Sequence, residues 1–364
     1  MLAKIKLISS LSYLFFFSVV SFGATLNYAY VANRLSNNIT IYHQNTDTGD
    51  LSIIKTIGTC KGPTQLLTDV SQKTLLVLCN YDEKILSYNI NSQGDLKQID
   101  SIKTGMNPKQ MALTHNPSSN NYLYVANYSD KSVSEYVLTN GKFKSIGHLA
   151  FDFPTSITID PNKQQYVYIM SNNVNLYSIN SKDGLLKAQN TYINSDYPLA
   201  LIFAPAGVPN VASLNFNSYG SIFTYHFLAD TGHLDLISFN NSIAQFAFNN
   251  SGSAAFDSKG KFLYVPQIDG YNQKNMVQTY QMIDSQLFNI GSEPILINAA
   301  ATSTTLDPTG KYIYITEGYN NLQQKYINTI AKFTIDRDTG KLLEDTNHIS
   351  TKGTLPSSLV FVSM

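Results

Sequence analysis

The chain has 364 residues, a formal net charge of +0 and 14% charged side chains. No run of lysine or arginine alternates with aromatic residues, so the composition excludes a basic nucleic-acid-binding surface. The 24 tyrosines and 19 phenylalanines favour β-strands, as do the many β-branched residues. We therefore expect a β-protein that binds no nucleic acid.

The N-terminus predicts an export signal. Lys4 and Lys6 precede an apolar stretch from Leu11 to Phe22, and Gly23 ends a small-residue cleavage motif. The stretch is about a dozen residues long, shorter than the ~20 residues of a membrane-spanning helix. We expect residues 1–23 to be a cleaved signal peptide and residues 24–364 to form one periplasmic or secreted domain, a monomer without a transmembrane span. An uncleaved anchor is the alternative.

Export bears on the two cysteines, Cys60 and Cys79, which fall in the same repeat. A disulfide persists in an oxidising compartment, and it forms here if the two Cα atoms lie within about 7 Å. Two buried free thiols are the alternative. A metal site is disfavoured because no histidine accompanies the cysteine pair.

A repeat dominates the chain. Seven times an aliphatic residue is followed three positions later by an aromatic residue, and the aromatics recur at intervals of 41 to 55 residues, by subtraction of their positions. Such a period is typical of a propeller or a solenoid. The pairs are Ile39/Tyr42, Ile85/Tyr88, Val133/Tyr136, Val174/Tyr177, Ile222/Tyr225, Val277/Tyr280 and Ile330/Phe333.

Each repeat reads as four antiparallel strands. The second strand is continuously apolar, as in Leu75 to Leu78, which indicates burial on both faces. The third strand carries the aliphatic–aromatic pair, and an Asn-Gly or Asp-Gly turn then leads to a polar outer strand. Seven such units predict an all-β, seven-bladed β-propeller. The chain opens on a second strand and ends on a first strand, so we expect the segment around Tyr30 and the segment Leu359 to Phe361 to share one blade.

Several motifs resemble those of a known family. They are the repeated Tyr-Val-Ala-Asn (Tyr30 to Asn33 and Tyr124 to Asn127), the Asp-Thr-Gly-x-Leu turn, and the hairpin from Asp307 to Tyr314. Together they resemble the lactonase-type seven-bladed propellers, a group that includes 6-phosphogluconolactonase and carboxymuconate cyclase. The motifs build blades, so they report the fold rather than the chemistry.

The resemblance implies catalysis by histidine, glutamate and arginine near the channel. His148 and Glu317 would then act as acid and base, and Arg34 would bind an anionic group. Only one other arginine occurs, Arg337. A phosphosugar site would thus depend on lysines, which lack the forked geometry of a guanidinium.

Polar residues end the second strands, where a propeller places them around one mouth of its channel. We expect them to bind a ligand, with the alternative that each asparagine only satisfies its own turn. Two long loops, 267–276 and 317–328, add tyrosines to the same face. The predicted ligand-binding residues are Asn33, Asn80, Asn127, Asn215, Gln267, Asp196, Tyr271 and Tyr319.

Two functions remain open from the sequence. The first is an exported module that binds a small molecule, a glycan or a protein at the polar mouth; the scarcity of titratable groups favours it. The second is a lactone hydrolase or carboxymuconate cyclase-like enzyme. The sequence contains no phosphate-binding glycine loop, and it leaves any cofactor or metal unknown.

Overall fold

The structure is a computed structural model that describes residues 26–115, 120–193, 198–215, 221–241, 245–246, 254–269, 272–291, 294–344 and 348–364. All regular elements in these ranges are β-strands, so the all-β prediction is confirmed. No helix in the described ranges is long and apolar enough to cross a membrane.

The strands of the first half of the chain are β1 (Asn27–Asn33), β2 (Asn38–Gln44), β3 (Leu51–Gly58), β4 (Pro63–Thr68), β5 (Thr74–Cys79), β6 (Lys84–Ile90), β7 (Leu96–Lys103), β8 (Pro108–Leu113), β9 (Asn121–Asn127), β10 (Ser132–Thr139), β11 (Lys142–Ala150), β12 (Ser156–Ile159), β13 (Tyr166–Met170), β14 (Val174–Ile179) and β15 (Leu186–Ile193). Those of the second half are β16 (Pro198–Phe203), β17 (Asn210–Asn215), β18 (Ser221–Leu228), β19 (His233–Asn241), β20 (Gln245–Phe246), β21 (Ala255–Phe256), β22 (Phe262–Ile268), β23 (Asn275–Ile283), β24 (Gln286–Asn289), β25 (Ile295–Ile297), β26 (Ala301–Leu306), β27 (Tyr312–Asn320), β28 (Lys325–Ile335), β29 (Leu342–Glu344), β30 (Ile349–Ser350) and β31 (Pro356–Ser363).

The described strands form seven antiparallel sheets, numbered here in chain order. Sheet 1 has the order β3-β2-β1-β31, so its innermost strand comes from the C-terminus, and Tyr30 lies opposite Val360. Sheets 2 to 5 each contain four consecutive strands, from β4–β7 to β16–β19. Sheet 6 contains β20–β25 and sheet 7 contains β26–β30, because some of their strands are split into shorter pieces. The arrangement is propeller-like.

The hydrophobic core is divided among the spaces between neighbouring sheets. Each core cluster joins two sheets that are consecutive in this order, as Leu78 of sheet 2 and Leu123 of sheet 3 do. One cluster contains Val31 of sheet 1 and Tyr314 of sheet 7, so the last sheet packs on the first. Second strands are buried on both faces because a neighbouring sheet covers each face, as their continuous apolar sequence predicts.

The aliphatic and aromatic residues of the repeat lie on third strands, as predicted. Residues three apart point to opposite faces of a strand, and both Ile39 and Tyr42 are buried because neighbouring sheets cover both faces. In sheets 1, 2, 3 and 5 the outer strand has one extra residue just after the partner of the aromatic; in β3 this residue is Ile54. This β-bulge disrupts pairing at the exposed edge and so disfavours edge-to-edge aggregation.

Cys60 and Cys79 form a disulfide, with their Cα atoms 5.9 Å apart. Cys60 lies in the loop before β4 and Cys79 ends β5, opposite Pro63. The bridge therefore closes the innermost hairpin of sheet 2. Both cysteines are buried within the core shared by sheets 1 and 2.

Candidate functional site

Two sets of loops share one face of the molecule, which we call the mouth face. The first set joins second to third strands (34–37, 80–83 and 128–131), and the second leads into innermost strands (59–62, 104–107, 151–155 and 351–355). Backbone hydrogen bonds connect the sets: Arg34 donates to Leu355 at 2.8 Å, and Tyr128 to Asn107 at 3.1 Å. This sharing of a face agrees with the prediction.

The three predicted catalytic residues do not form one cluster. His148 is exposed and lies in the outermost strand β11, opposite Ser134, rather than near the channel. The strand continues past it to Ala150. Glu317 is fully buried in sheet 7. Arg34 lies in the turn after β1. Among the described residues, no hydrogen bond or ion pair joins any two of these three.

Glu317 instead pairs with His348, which was not among the residues predicted from sequence. His348 Nδ1 lies 2.8 Å from Glu317 Oε2, and Thr329 donates to the same oxygen at 2.6 Å. The Asn298 backbone N–H donates to Oε1 at 2.6 Å, and the Asn298 side chain lies 2.9 Å from His348 Nε2. Both ring nitrogens of His348 are thus engaged. The cluster holds the loop after β25 against sheet 7.

The strand registers place His348 at the position in sheet 7 that His148 occupies in sheet 3. Leu149 lies opposite Val133, and Ile349 lies opposite Ile330, the equivalent aliphatic residue. His148 and His348 therefore occupy the same position in two different sheets. Among the described residues, only sheet 7 has a glutamate at the position that Asn33 occupies in sheet 1, and that combination of positions could have identified the pair.

Three of the predicted ligand-binding carboxamides are buried and bonded within their own sheets. Asn33 Nδ2 donates to Asn38 Oδ1 at 2.8 Å and to Thr40 Oγ1 at 3.1 Å. Asn127 Nδ2 donates to the hydroxyls of Ser132 and Ser134, at 3.1 and 2.9 Å. Gln267 donates to the Tyr280 hydroxyl at 3.2 Å. Their amides close the second-to-third-strand hairpin and do not face solvent, which corrects the prediction that they contact a ligand.

Both predicted long loops are shorter than expected. Strand β27 continues to Asn320 and β28 starts at Lys325, so residues 317–328 form an extended hairpin. Tyr319 lies opposite Tyr326, with ring centroids 5.2 Å apart, and this cross-strand contact prolongs the pairing. Strand β22 likewise continues to Ile268. Asp196, Tyr271 and the Asn215 side chain lie outside the described residues.

Asn80 and Arg34 remain accessible and belong to a chain of side chains across the mouth face. Arg34 Nη2 lies 3.5 Å from Asn80 Oδ1, and Asn80 Nδ2 donates to Asn107 Oδ1 at 3.0 Å. Asn107 Nδ2 then donates to Ser129 Oγ at 3.1 Å. The chain runs from sheet 1 through sheet 2 to sheet 3. It fixes the Asn80 amide beside the guanidinium.

Lys109 completes this cluster, and its position is unusual. Five innermost strands have a β-bulge after their first residue, and the extra residues are Thr64, Lys109, Leu199, Thr302 and Ser357. The hydroxyls of Thr302 and Ser357 donate to the backbone carbonyls of Pro356 and Pro63 in the next sheet. Sheet 3 has a lysine there instead, and a bulge directs its side chain away from regular pairing. Comparison of the residues after the repeat prolines could have revealed it.

Arg34 and Lys109 are two cations without an anionic partner. Neither pairs with a carboxylate of the described residues, and Arg34 Nε is buried without a hydrogen-bond acceptor there. Lys109 is exposed as a residue, but the protein partly surrounds its ammonium group. This partial burial lowers the pKa of Lys109, and the charge of Arg34 lowers it further. An anionic group between them would relieve this repulsion.

The cluster lies beside a cavity of about 110 Å³ between innermost strands, and Lys109 is part of its wall. Thr64, Gln65, Gln110, Ser357 and Ser358 contribute hydroxyls and amides to its wall. No group of three or more histidine, cysteine, aspartate or glutamate side chains in the described ranges has the geometry of a metal site. Binding here thus relies on cations, amides and hydroxyls.

Residues 20–112 match the family model "Lactonase, 7-bladed beta-propeller", and this segment contains Arg34, Asn80 and Lys109. The expected resemblance to lactonase-type propellers is confirmed. No curated protein sequence is significantly similar to the chain.

Solved structures with the same fold share little sequence with the chain. A periplasmic gluconolactonase from Pseudomonas aeruginosa has a TM-score of 0.75 and 18% identity, covering 93% of this chain and 99% of that one. A candidate 6-phosphogluconolactonase from Bacteroides fragilis has a TM-score of 0.75 and 18% identity, covering 94% and 99%. Hydrazine synthase from Kuenenia stuttgartiensis has a TM-score of 0.61 and 16% identity, covering 81% and 88%. The fold is therefore common to proteins with unrelated activities.

Proposed function

We propose that this chain is an exported lactone hydrolase that opens a ring ester at the mouth face of a closed, seven-bladed propeller. The observation that carries the proposal is a pair of cations, Arg34 and Lys109, that lie beside the Asn80 amide and have no carboxylate partner among the described residues. All three lie in the segment similar to the lactonase family. This preference reverses the order of the two functions weighed from the sequence, because the similar folds include a periplasmic gluconolactonase.

Closure and export are parts of the same proposal. The pairing of β31 with β1 and the core shared by sheets 7 and 1 support a closed ring. The lysine-flanked apolar stretch before Gly23 supports export. The Cys60–Cys79 disulfide agrees with an oxidising compartment. An uncharged or carboxylate-bearing sugar lactone suits that location better than a phosphorylated intermediate of the cytosol.

The chemistry assigns one role to each cation. In its neutral form Lys109 takes a proton from water, which attacks the lactone carbonyl carbon. Arg34, held beside the Asn80 amide oxygen, stabilises the negative charge that develops on the carbonyl oxygen. The ring C–O bond then breaks, and the proton passes from Lys109 to the departing ring oxygen. The product is an open-chain hydroxy acid whose carboxylate pairs with Arg34.

Hydrolysis of δ-gluconolactone by the purified mature chain tests the proposal, with acid release followed by a pH indicator and the spontaneous rate subtracted. We expect Lys109→Gln and Arg34→Gln each to lower kcat/KM at least 100-fold. Lys61→Gln is the matched control on the same face and should retain wild-type activity. A wild-type rate equal to the spontaneous rate, for both δ-gluconolactone and carboxymuconolactone, would refute the proposal.

A further inference from the structure

A row of aromatic rings and cations crosses the mouth face next to the Arg34–Lys109 pair. The Arg34 guanidinium lies 5.1 Å from the centroid of the Tyr81 ring, and the Lys109 ammonium lies 5.2 Å from that of Tyr128. The Tyr128 and Phe153 centroids are 5.3 Å apart, and Lys131 lies 4.3 Å from the Phe153 centroid. We call Tyr81, Tyr128 and Phe153 the aromatic row.

The rings of the row are held in place. The Tyr81 ring packs directly over Gly62, where even a Cβ atom would lie 2.6 Å from it. The hydrogen bonds of Asn107 to Asn80 and Ser129 connect the loop that bears Tyr81 with the loop that bears Tyr128. The row therefore extends from the loop of sheet 2 that bears Tyr81 to the loop between sheets 3 and 4 that bears Phe153.

Phe153 is the most informative member. Its φ is 47°, a left-handed conformation that is unfavourable for a bulky residue. Burial does not offset this strain, because the residue is 44% exposed. Glycine would adopt the same backbone without strain. The left-handed conformation belongs to the repeat, because Gly62, Asn107 and Leu355, which precede the prolines of other innermost strands, share it. Phe153 differs from them in presenting an exposed aromatic ring, which is available to a ligand.

We propose that the aromatic row and the Arg34–Lys109 pair together bind an acidic oligosaccharide, a chain of sugar rings that carry carboxylates. The apolar faces of pyranose rings stack on aromatic side chains, whereas their equatorial hydroxyls require donors and acceptors such as the Asn80 and Asn107 amides. The unpartnered cations supply the complementary charge for a carboxylate. A simple anion would need the cations but not the rings, and a neutral glycan would need the rings but not the cations.

This inference goes beyond the proposed hydrolysis, because binding is measured without turnover and either function can fail alone. Calorimetric titration of the mature chain with trigalacturonate is the test, with maltotriose as the neutral probe and triglutamate as the acidic peptide probe. We expect trigalacturonate to bind at least 10-fold more tightly than either of the others. Arg34→Gln and Tyr81→Ala should each weaken its binding at least 10-fold.

Phe153→Gly separates a binding role from a structural one. We expect its affinity for trigalacturonate to fall at least 10-fold while its Tm equals or exceeds that of the wild type, since glycine relieves the strain. Phe239→Ala is the matched control: Phe239 is 61% exposed but lies on β19, far along the chain in sheet 5. The proposal is overturned if trigalacturonate fails to bind, if triglutamate or maltotriose binds equally well, or if Phe153→Gly leaves its affinity unchanged.

Discussion

The Tyr30 hydroxyl donates a hydrogen bond to the Gly94 carbonyl at 2.8 Å, which connects the second strand of sheet 1 to the outer turn of sheet 2. The same contact recurs between later sheets: Tyr124 donates to Gly184 at 2.7 Å, Tyr168 to Gly232 at 2.6 Å, and Tyr314 to Gly49. The last of these joins sheet 7 to sheet 1. The second-strand tyrosines, including those of the Tyr-Val-Ala-Asn motif, thus bind the glycines of the outer turns in the next sheet, and this contact recurs around the molecule.

Loss of one of these hydroxyls should destabilise the fold. Tyr30→Phe keeps the ring but leaves the Gly94 carbonyl unpaired in a buried place, so we expect the free energy of unfolding to fall by about 1–3 kcal/mol. Chemical denaturation monitored by circular dichroism measures it. Tyr264 supplies the control, because its buried hydroxyl has no hydrogen-bond partner in the described part of the chain. Tyr264→Phe should be neutral or stabilising; equal losses in both variants would contradict this account.

A second contact between sheets 7 and 1 predicts a dependence on pH. Lys332 is 4% exposed, and its ammonium donates to Asp50 Oδ1 at 2.6 Å. This hydrogen bond, with one from Thr48, lowers the pKa of Asp50. A lowered carboxylate pKa stabilises the folded chain at neutral pH, and that stabilisation is lost as the pH falls below the range in which a free aspartate titrates.

Asp50→Asn should therefore lower stability at pH 7 and flatten its decline in acid. Because the Asp50 side chain is 59% exposed, solvent screening keeps its own contribution below about 1 kcal/mol. The Tm at pH 7 and its decline from pH 7 to pH 2 give both quantities. The control is Asp95→Asn, which removes a pair with Lys55 in which both side chains are largely exposed. A larger loss in the control than in Asp50→Asn would show that burial of Lys332 is unimportant.

Reduction of the disulfide should destabilise the innermost hairpin of sheet 2. Cys60 and Cys79 are 19 residues apart, and a cross-link closing a loop of this size stabilises a fold by about 3 kcal/mol. We expect dithiothreitol to lower the Tm of the wild type. The double variant Cys60→Ala/Cys79→Ala should show the lower Tm already and should not respond to the reductant. If dithiothreitol lowered the Tm of both proteins equally, the disulfide would not be the target of the reductant.

Burial explains which strands the sequence could predict. Third strands were located correctly because both Ile39 and Tyr42 must be apolar when sheets cover each face. Neighbouring sheets cover the outer strands on fewer sides, so the polarity of their residues does not show where each strand ends. This is why the sequence does not show that β11 extends through His148 to Ala150. Similarly, Asn33 ends a strand whether it binds a ligand or its own hairpin, and only the structure shows its bonds to Asn38 and Thr40.

The candidate site was predicted in part for the same reason. Arg34 and Asn80 were identified because they follow second strands, whose ends the repeat locates. Lys109 was missed since it depends on a β-bulge, which inserts one residue without changing the polarity pattern. Contacts between residues far apart in the chain, such as that of Glu317 with His348 in sheet 7, depend on side-chain length and on the paths of loops, which the repeat does not predict.

The proposed role of Lys109 predicts the pH profile of hydrolysis. A lysine acts as a base only when it is neutral, so kcat/KM should rise with pH through the Lys109 pKa. Burial and the charge of Arg34 lower that pKa, which should place the midpoint below that of a free lysine. Arg34→Gln removes the neighbouring charge, so the midpoint should move to higher pH in addition to the loss of rate. Lys109→Gln should abolish the rise altogether. If Arg34→Gln instead moved the midpoint to lower pH, or if the rise persisted in Lys109→Gln, another group would be the base.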